Sequence, residues 1–113
     1  MHELSIALSM MEQIEQESAK HCGTVRAVQV RIGALAGVDC EALRFAWEIA
    51  RAGTPFAETE LEIDQVPLMV RCPQCGETRE AEMFAIACPR CVTPEQEILM
   101  GQELELTSME MET

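Results

Sequence analysis

Leu4, Ala7, Leu8 and Met11 recur at i, i+3, i+4 and i+7, and Ile14 and Ser18 continue the stripe. This period predicts a helix over 4–21 with Glu12, Gln13, Glu15, Gln16 and Glu17 on its wet face. Lys20 and His21 suit its last turn, and Gly23 suits its stop. His21 reads as a capping or surface residue. Val28, Val30 and Ile32 alternate with Gln29 and Arg31, which predicts a strand over 25–32. A second helix is expected over 40–52, with Asp39 as N-cap and Gly53 and Pro55 ending it. Its stripe is Leu43, Ala46, Trp47 and Ala50, widened by Phe45 and Ile49, which suggests packing on a sheet. Leu61, Ile63 and Val66 mark a strand over 60–66. Strand, helix and strand then form a crossover unit with parallel strands.

Alternation returns over 103–109, with Leu104 and Leu106 expected inside a third strand of the same sheet. Between these last strands the chain leaves at Pro67-Leu68 and comes back at Pro94-Glu95. The expected fold is α+β: two helices on a three-stranded mixed sheet over 1–67 and 96–113, with a small ribbon inserted at 68–95. Residues 109–113 are expected to fray.

The inserted ribbon holds Cys72-Pro-Gln-Cys75-Gly76 and Cys88-Pro-Arg-Cys91, with twelve residues between Cys75 and Cys88. Two tight turns can aim four sulfurs at one point, and a closed four-thiolate set is the composition of structural zinc. Two disulfides, a dithiol redox centre and a rubredoxin-type iron site are the rival readings, the last usually with a longer insert. Gly76 suits a turn with positive φ. Val92, in the equivalent place after the second pair, makes that turn the less regular one. Met83, Phe84 and Ile86 are expected to form a little strand packed beside the metal. Cys22 and Cys40 read as free thiols, Cys40 at a helix start where a thiol is somewhat acidic.

Composition narrows the function classes. The chain has 113 residues, room for one small core plus the ribbon. Twenty acids against eight lysines and arginines leave a net charge of −12, which argues against nucleic acid and suits solubility, cation attraction or a basic protein partner. No secretory signal and no apolar run of about 20 residues is visible, so a cytoplasmic protein with reduced thiols is expected. With only two histidines, no Ser/His/Asp or Cys/His set is available, and the chain is expected not to be an enzyme. The Gly33–Gly37 loop lacks a following Gly-Lys-Ser/Thr and is not a phosphate loop.

The opening Met1-His2-Glu3 is the second stretch with metal chemistry. The Met1 amine, the His2 amide nitrogen and His2 Nδ1 close a five- and a six-membered chelate ring, and the Glu3 amide is available as a further donor. In-plane nitrogen donors suit Ni(II) or Cu(II). Binding releases protons, so affinity falls at lower pH. A large second residue keeps Met1 in place.

With both stretches in view, the chain resembles the HypA/HybF family of nickel-insertion accessory proteins for NiFe-hydrogenase maturation. The resemblance rests on Met1-His2-Glu3, on Ile32-Gly33-Ala34-Leu35-Ala36-Gly37-Val38 with Glu41 to Glu48, on Leu61-Glu62-Ile63, and on the two cysteine pairs. It implies Ni(II) at Met1, His2 and Glu3, and structural Zn(II) at Cys72, Cys75, Cys88 and Cys91. It also implies delivery to the hydrogenase large-subunit precursor together with an accessory GTPase, and in some bacteria support of urease. Val92 departs from the easier glycine, and no histidine lies in the ribbon to complete a nickel sphere. The rival reading is a zinc-ribbon interaction adaptor that carries no second metal.

Overall fold

The computed structural model describes residues 2–113. Helix α1 spans Glu3–Ser18, strand β1 Thr24–Gly33, helix α2 Cys40–Arg51 and strand β2 Glu60–Val66. Three short strands follow, β3 (Met69–Arg71), β4 (Thr78–Glu80) and β5 (Glu97–Met100), and then the long strand β6 (Leu104–Glu112). The strands form two sheets, ordered β2-β1-β6 and β4-β3-β5. The chain divides into two compact units. One comprises the chain through Arg31, Val38–Asp64 and Glu105–Thr113; the other comprises Ile32–Gly37 and Gln65–Leu104.

In the first sheet, contacts from β1 to β2 advance in step. The Gln29 amide reaches Glu62 at 2.8 Å, and Arg31 lies 3.6 Å from Asp64. The two strands are therefore parallel, as a strand-helix-strand crossover requires. Contacts from β1 to β6 run in opposite senses: Arg26 pairs with Glu112, Thr107 donates to the Gln29 carbonyl, and Arg31 faces Glu105. That pair is antiparallel, and the sheet is mixed.

One face of this sheet is buried under the helices. Ala7, Met10 and Ile14 of α1 and Leu43, Ala46 and Trp47 of α2 join Val25, Ala27, Val28 and Val30 in the core. The buried indole N–H of Trp47 donates to the Thr59 carbonyl at 2.9 Å, and the buried Thr59 hydroxyl donates to the Val25 carbonyl at 2.7 Å. Two polar groups inside an apolar core are thereby satisfied, which avoids a cost of about 1–3 kcal/mol for each. Asp39 caps α2 as its sequence position predicts, accepting from the Glu41 and Ala42 amides.

Several expectations need correction. Phe45 is 69% exposed and Ile49 54%, so the α2 core stripe is narrower than its apolar pattern. Both residues sit round the helix from Leu43, Trp47 and Ala50, beyond the arc that one sheet can cover. Leu104 is exposed and Leu106 only half-buried, because β6 is an edge strand. The chain end is not frayed: β6 runs to Glu112, whose carboxylate pairs with Arg26. Met83 and Phe84 build no strand. A single Glu82↔Ala85 bridge closes a turn there, and Phe84 is 98% exposed.

In the second unit, β3 is central. It pairs antiparallel with β4 through Met69↔Glu80, Val70↔Arg79 and Arg71↔Thr78, and with β5 through Val70↔Ile98 and Arg71↔Glu97. The strand β5 was not evident from the sequence, since all four of its residues are exposed and do not alternate. The loop after β1 is pinned by three backbone bonds: Gly33 to Glu103 O, Ala34 to Val66 O and Leu35 to Gly101 O.

Candidate metal centres

The β3–β4 hairpin and the return toward β5 bring Cys72, Cys75, Cys88 and Cys91 together. Their sulfurs all lie within 4.8 Å of one another. A tetrahedral ion with Zn–S near 2.3 Å requires S···S edges of about 3.8 Å, and Cys75 and Cys88 Sγ stand 3.9 Å apart. All six cysteines are free thiols, and four of them converge on one point instead of joining two by two. The donor set and its spacing fit a closed four-thiolate zinc site. A metal there would cross-link the two segments that carry the cysteine pairs.

The two cysteine turns share one construction. The Gly76 amide donates to Cys72 O at 2.7 Å, and the Val92 amide donates to Cys88 O at 2.7 Å. Cys72 N donates to Glu77 O and Cys88 N to Thr93 O. Each turn needs a left-handed residue after its second cysteine, Gly76 at φ +75 and Val92 at φ +53. Val92 is the one non-glycine at positive φ among the described residues, yet its turn repeats the hydrogen bonds of the first, so the less regular turn expected there is not found.

Polar side chains brace these turns, and none stood out in the sequence. The Thr93 hydroxyl lies 2.7 Å from Gln74 Oε1 and 3.3 Å from Cys91 O, which ties the first turn to the second. The Gln96 amide donates to Thr93 O at 3.0 Å. Arg79 on β4 donates to the carbonyls of Ile86 and Ala87, just before Cys88.

The metal-free thiols are unequal. The Cys75 backbone N–H aimed at its sulfur brings the Cys72 thiol down to about 6 against the pull of burial, helped by the Gln74 N–H and the Gln96 side chain. Burial, and then the thiols of Cys75, Cys72 and Cys88, push Cys91 up to about 12. Of the pair, Cys72 gives up its proton more readily than Cys91, and a metal must displace the protons that remain.

At the other predicted centre, Met1 lies outside the described residues. His2 is exposed and is the N-cap of α1, at φ −84 and ψ 109. Its Nδ1 lies 3.4 Å from both the amide nitrogen and the hydroxyl of Ser5. Glu3 is the first helical residue, so its N–H has no intrahelical acceptor. Its carboxylate accepts the Asp39 N–H at 3.3 Å, which joins the starts of the two helices. Cys22 is exposed and Cys40 half-buried, and neither belongs to the four-sulfur cluster. No described helix is long and apolar enough to cross a membrane.

A helix-and-sheet unit, and a second unit built on four converging thiols, define a small metal-binding protein. Comparison with known proteins makes this specific. The family model described as "Hydrogenase/urease nickel incorporation, metallochaperone, hypA" matches residues 1–111. The hydrogenase maturation factor HypA of Chloroflexus aurantiacus is 47% identical over 97% of this chain and 98% of its own. That of Nitrosospira multiformis is 37% identical over 100% and 99%. The solution structure of the Ni metallochaperone HypA from Helicobacter pylori aligns with a TM-score of 0.66 at 24% identity, over 98% of this chain and 97% of that one, and shares the fold. The chain belongs to the HypA family, whose members are metallochaperones of nickel incorporation in hydrogenase maturation and not enzymes.

Proposed function

We propose that this chain binds Ni(II) through the Met1 amine, the amide nitrogens of His2 and Glu3, and His2 Nδ1. It then delivers the ion to the NiFe-hydrogenase large-subunit precursor, together with an accessory GTPase. Zn(II) on Cys72, Cys75, Cys88 and Cys91 is the structural ion. The observation that carries the reading is the place of His2 and Glu3 at the exposed start of α1. The Glu3 N–H has no helical hydrogen bond to lose, so its deprotonation leaves the helix ladder intact. The positive end of the helix favours the resulting amidate.

A carrier must bind selectively and still release. Four in-plane nitrogens select Ni(II) or Cu(II) over Zn(II) and Mg(II), while a chelate at a chain end can be peeled open by a partner. The −12 charge suits an encounter with a basic partner surface.

The test is nickel titration of the untagged, zinc-loaded chain with metal analysis. One equivalent of Ni(II) is expected beyond the zinc. His2→Ala should abolish nickel binding and leave zinc content unchanged, and residues added before Met1 should do similar harm. Full nickel affinity in His2→Ala would overturn the assignment, and indifference of the wild-type chain to Ni(II) would leave only an interaction adaptor.

A further inference from the structure

Resting on that nickel reading, we propose that Ser5 competes with Ni(II) for His2 Nδ1. In this structure Nδ1 caps α1, and nickel loading removes the cap. His2 has the extended backbone of an N-cap residue, and both hydrogen-bonding groups of Ser5 converge on Nδ1, each at 3.4 Å. As an acceptor, Nδ1 is unprotonated and the ring proton sits on Nε2. It then has one in-plane lone pair. That pair can accept from Ser5 or coordinate a metal, but not both.

The chelate also needs the ring elsewhere. A six-membered ring through the His2 amide nitrogen, Cα, Cβ, Cγ, Nδ1 and the ion turns the imidazole back over its own backbone nitrogen. The capping pose turns it forward to Ser5, three residues on. Loading therefore breaks the contacts to Ser5, forms the Ni–N bonds and releases the His2 and Glu3 amide protons to solvent. It leaves the Ser5 N–H as an orphan donor in the first turn. Unloading restores the cap.

Bonds of 3.4 Å lie at the long end of the useful range. Ser5 thus acts as a mild brake on nickel affinity. It gives the vacated His2 a resting partner and so favours release.

The experiment uses the full, untagged, zinc-loaded chain, with Ni(II) as the only probe. Ser5→Ala removes the hydroxyl and should tighten nickel binding by about two- to fivefold, the size expected of part of a helix cap. Ser5→Thr keeps a hydroxyl and should restore wild-type affinity. Square-planar Ni(II) is diamagnetic, so the Ser5 amide can be followed by NMR. Its hydrogen exchange should speed up on loading in the wild type. Unchanged or weaker nickel binding in Ser5→Ala, or Ser5 exchange insensitive to nickel, would overturn the competition while the His2 site stands. Undiminished nickel binding in His2→Ala would instead overturn the underlying nickel assignment.

Discussion

The hydroxyl of Thr93 stands 2.7 Å from the side-chain oxygen of Gln74, joining the two cysteine turns without the help of a metal. The Thr93 carbonyl also receives Cys88 N and the Gln96 amide. Outer partners of this kind typically change metal affinity by about 10–100-fold. Thr93→Val keeps the shape and removes the hydroxyl. We expect it to speed zinc loss to a chelator by about tenfold while nickel binding is unaltered, as timed zinc release with a colorimetric chelator would show. Equal release rates in wild type and variant would rule out the brace.

Val92 is strained by design of the turn. At φ +53 a β-branched residue costs about 1–2 kcal/mol, and Val92 is 77% exposed, so it has little packing to lose. Val92→Gly relieves the strain but adds unfolded-state entropy of up to about 1 kcal/mol. A net gain of up to about 1 kcal/mol is expected in the zinc-loaded protein, read from denaturant midpoints. A clear loss of stability would show that the valine side chain is needed.

The metal-free ribbon should have a stability optimum in pH. An ordinary thiol titrates near about 8.5. Cys72, lowered to about 6, contributes stability that is present above the ordinary value and lost as pH falls through 6. Cys91, raised to about 12, contributes stability that is present below the ordinary value and lost as pH climbs toward 12. Unfolding of the zinc-stripped, reduced chain followed against pH should therefore peak near about 8.5–9. Apparent zinc affinity should fall with acid, more steeply below pH 6 where Cys72 takes up its proton. A flat profile would contradict the unequal thiols.

Gly33 and Gly101 meet backbone to backbone. A Cβ on Gly33 would stand 2.1 Å from the Gly101 carbonyl, and neither backbone can yield as a side chain could. Gly33→Ala should therefore cost several kcal/mol, on the order of the large values reserved for core disruption. Gly37→Ala is the control: a Cβ there meets nothing within 4 Å, so its cost is limited to the strain of φ +73, about 1–2 kcal/mol. Thermal melts of the pair would check this, and equal losses would refute it.

Hydrophobic period was enough to place α1, β1, α2 and β2 to within a few residues, though not to name the buried face of α1, where Met10 is buried and Leu8 is 52% exposed. The spacing of Cys72, Cys75, Cys88 and Cys91 was enough to bring four sulfurs to one point. The opening tripeptide, the Ile32–Val38 stretch with Glu41–Glu48, Leu61-Glu62-Ile63 and the cysteine pairs together were enough to mark the family.

What periodicity could not tell is which apolar residues find a surface. Phe45, Ile49, Leu104 and Phe84 are apolar by sequence and exposed in the fold, since burial depends on whether another element arrives opposite. The strand β5 exists only because β3 supplies its hydrogen bonds, and β6 runs on to Glu112, whose carboxylate meets Arg26 from far away in the chain. The Thr93–Gln74 brace and the His2–Ser5 cap belong to the same kind. The chemistry of a side chain is written in the sequence, but a hydrogen bond needs two groups within about 3 Å, and only the folded chain sets that distance.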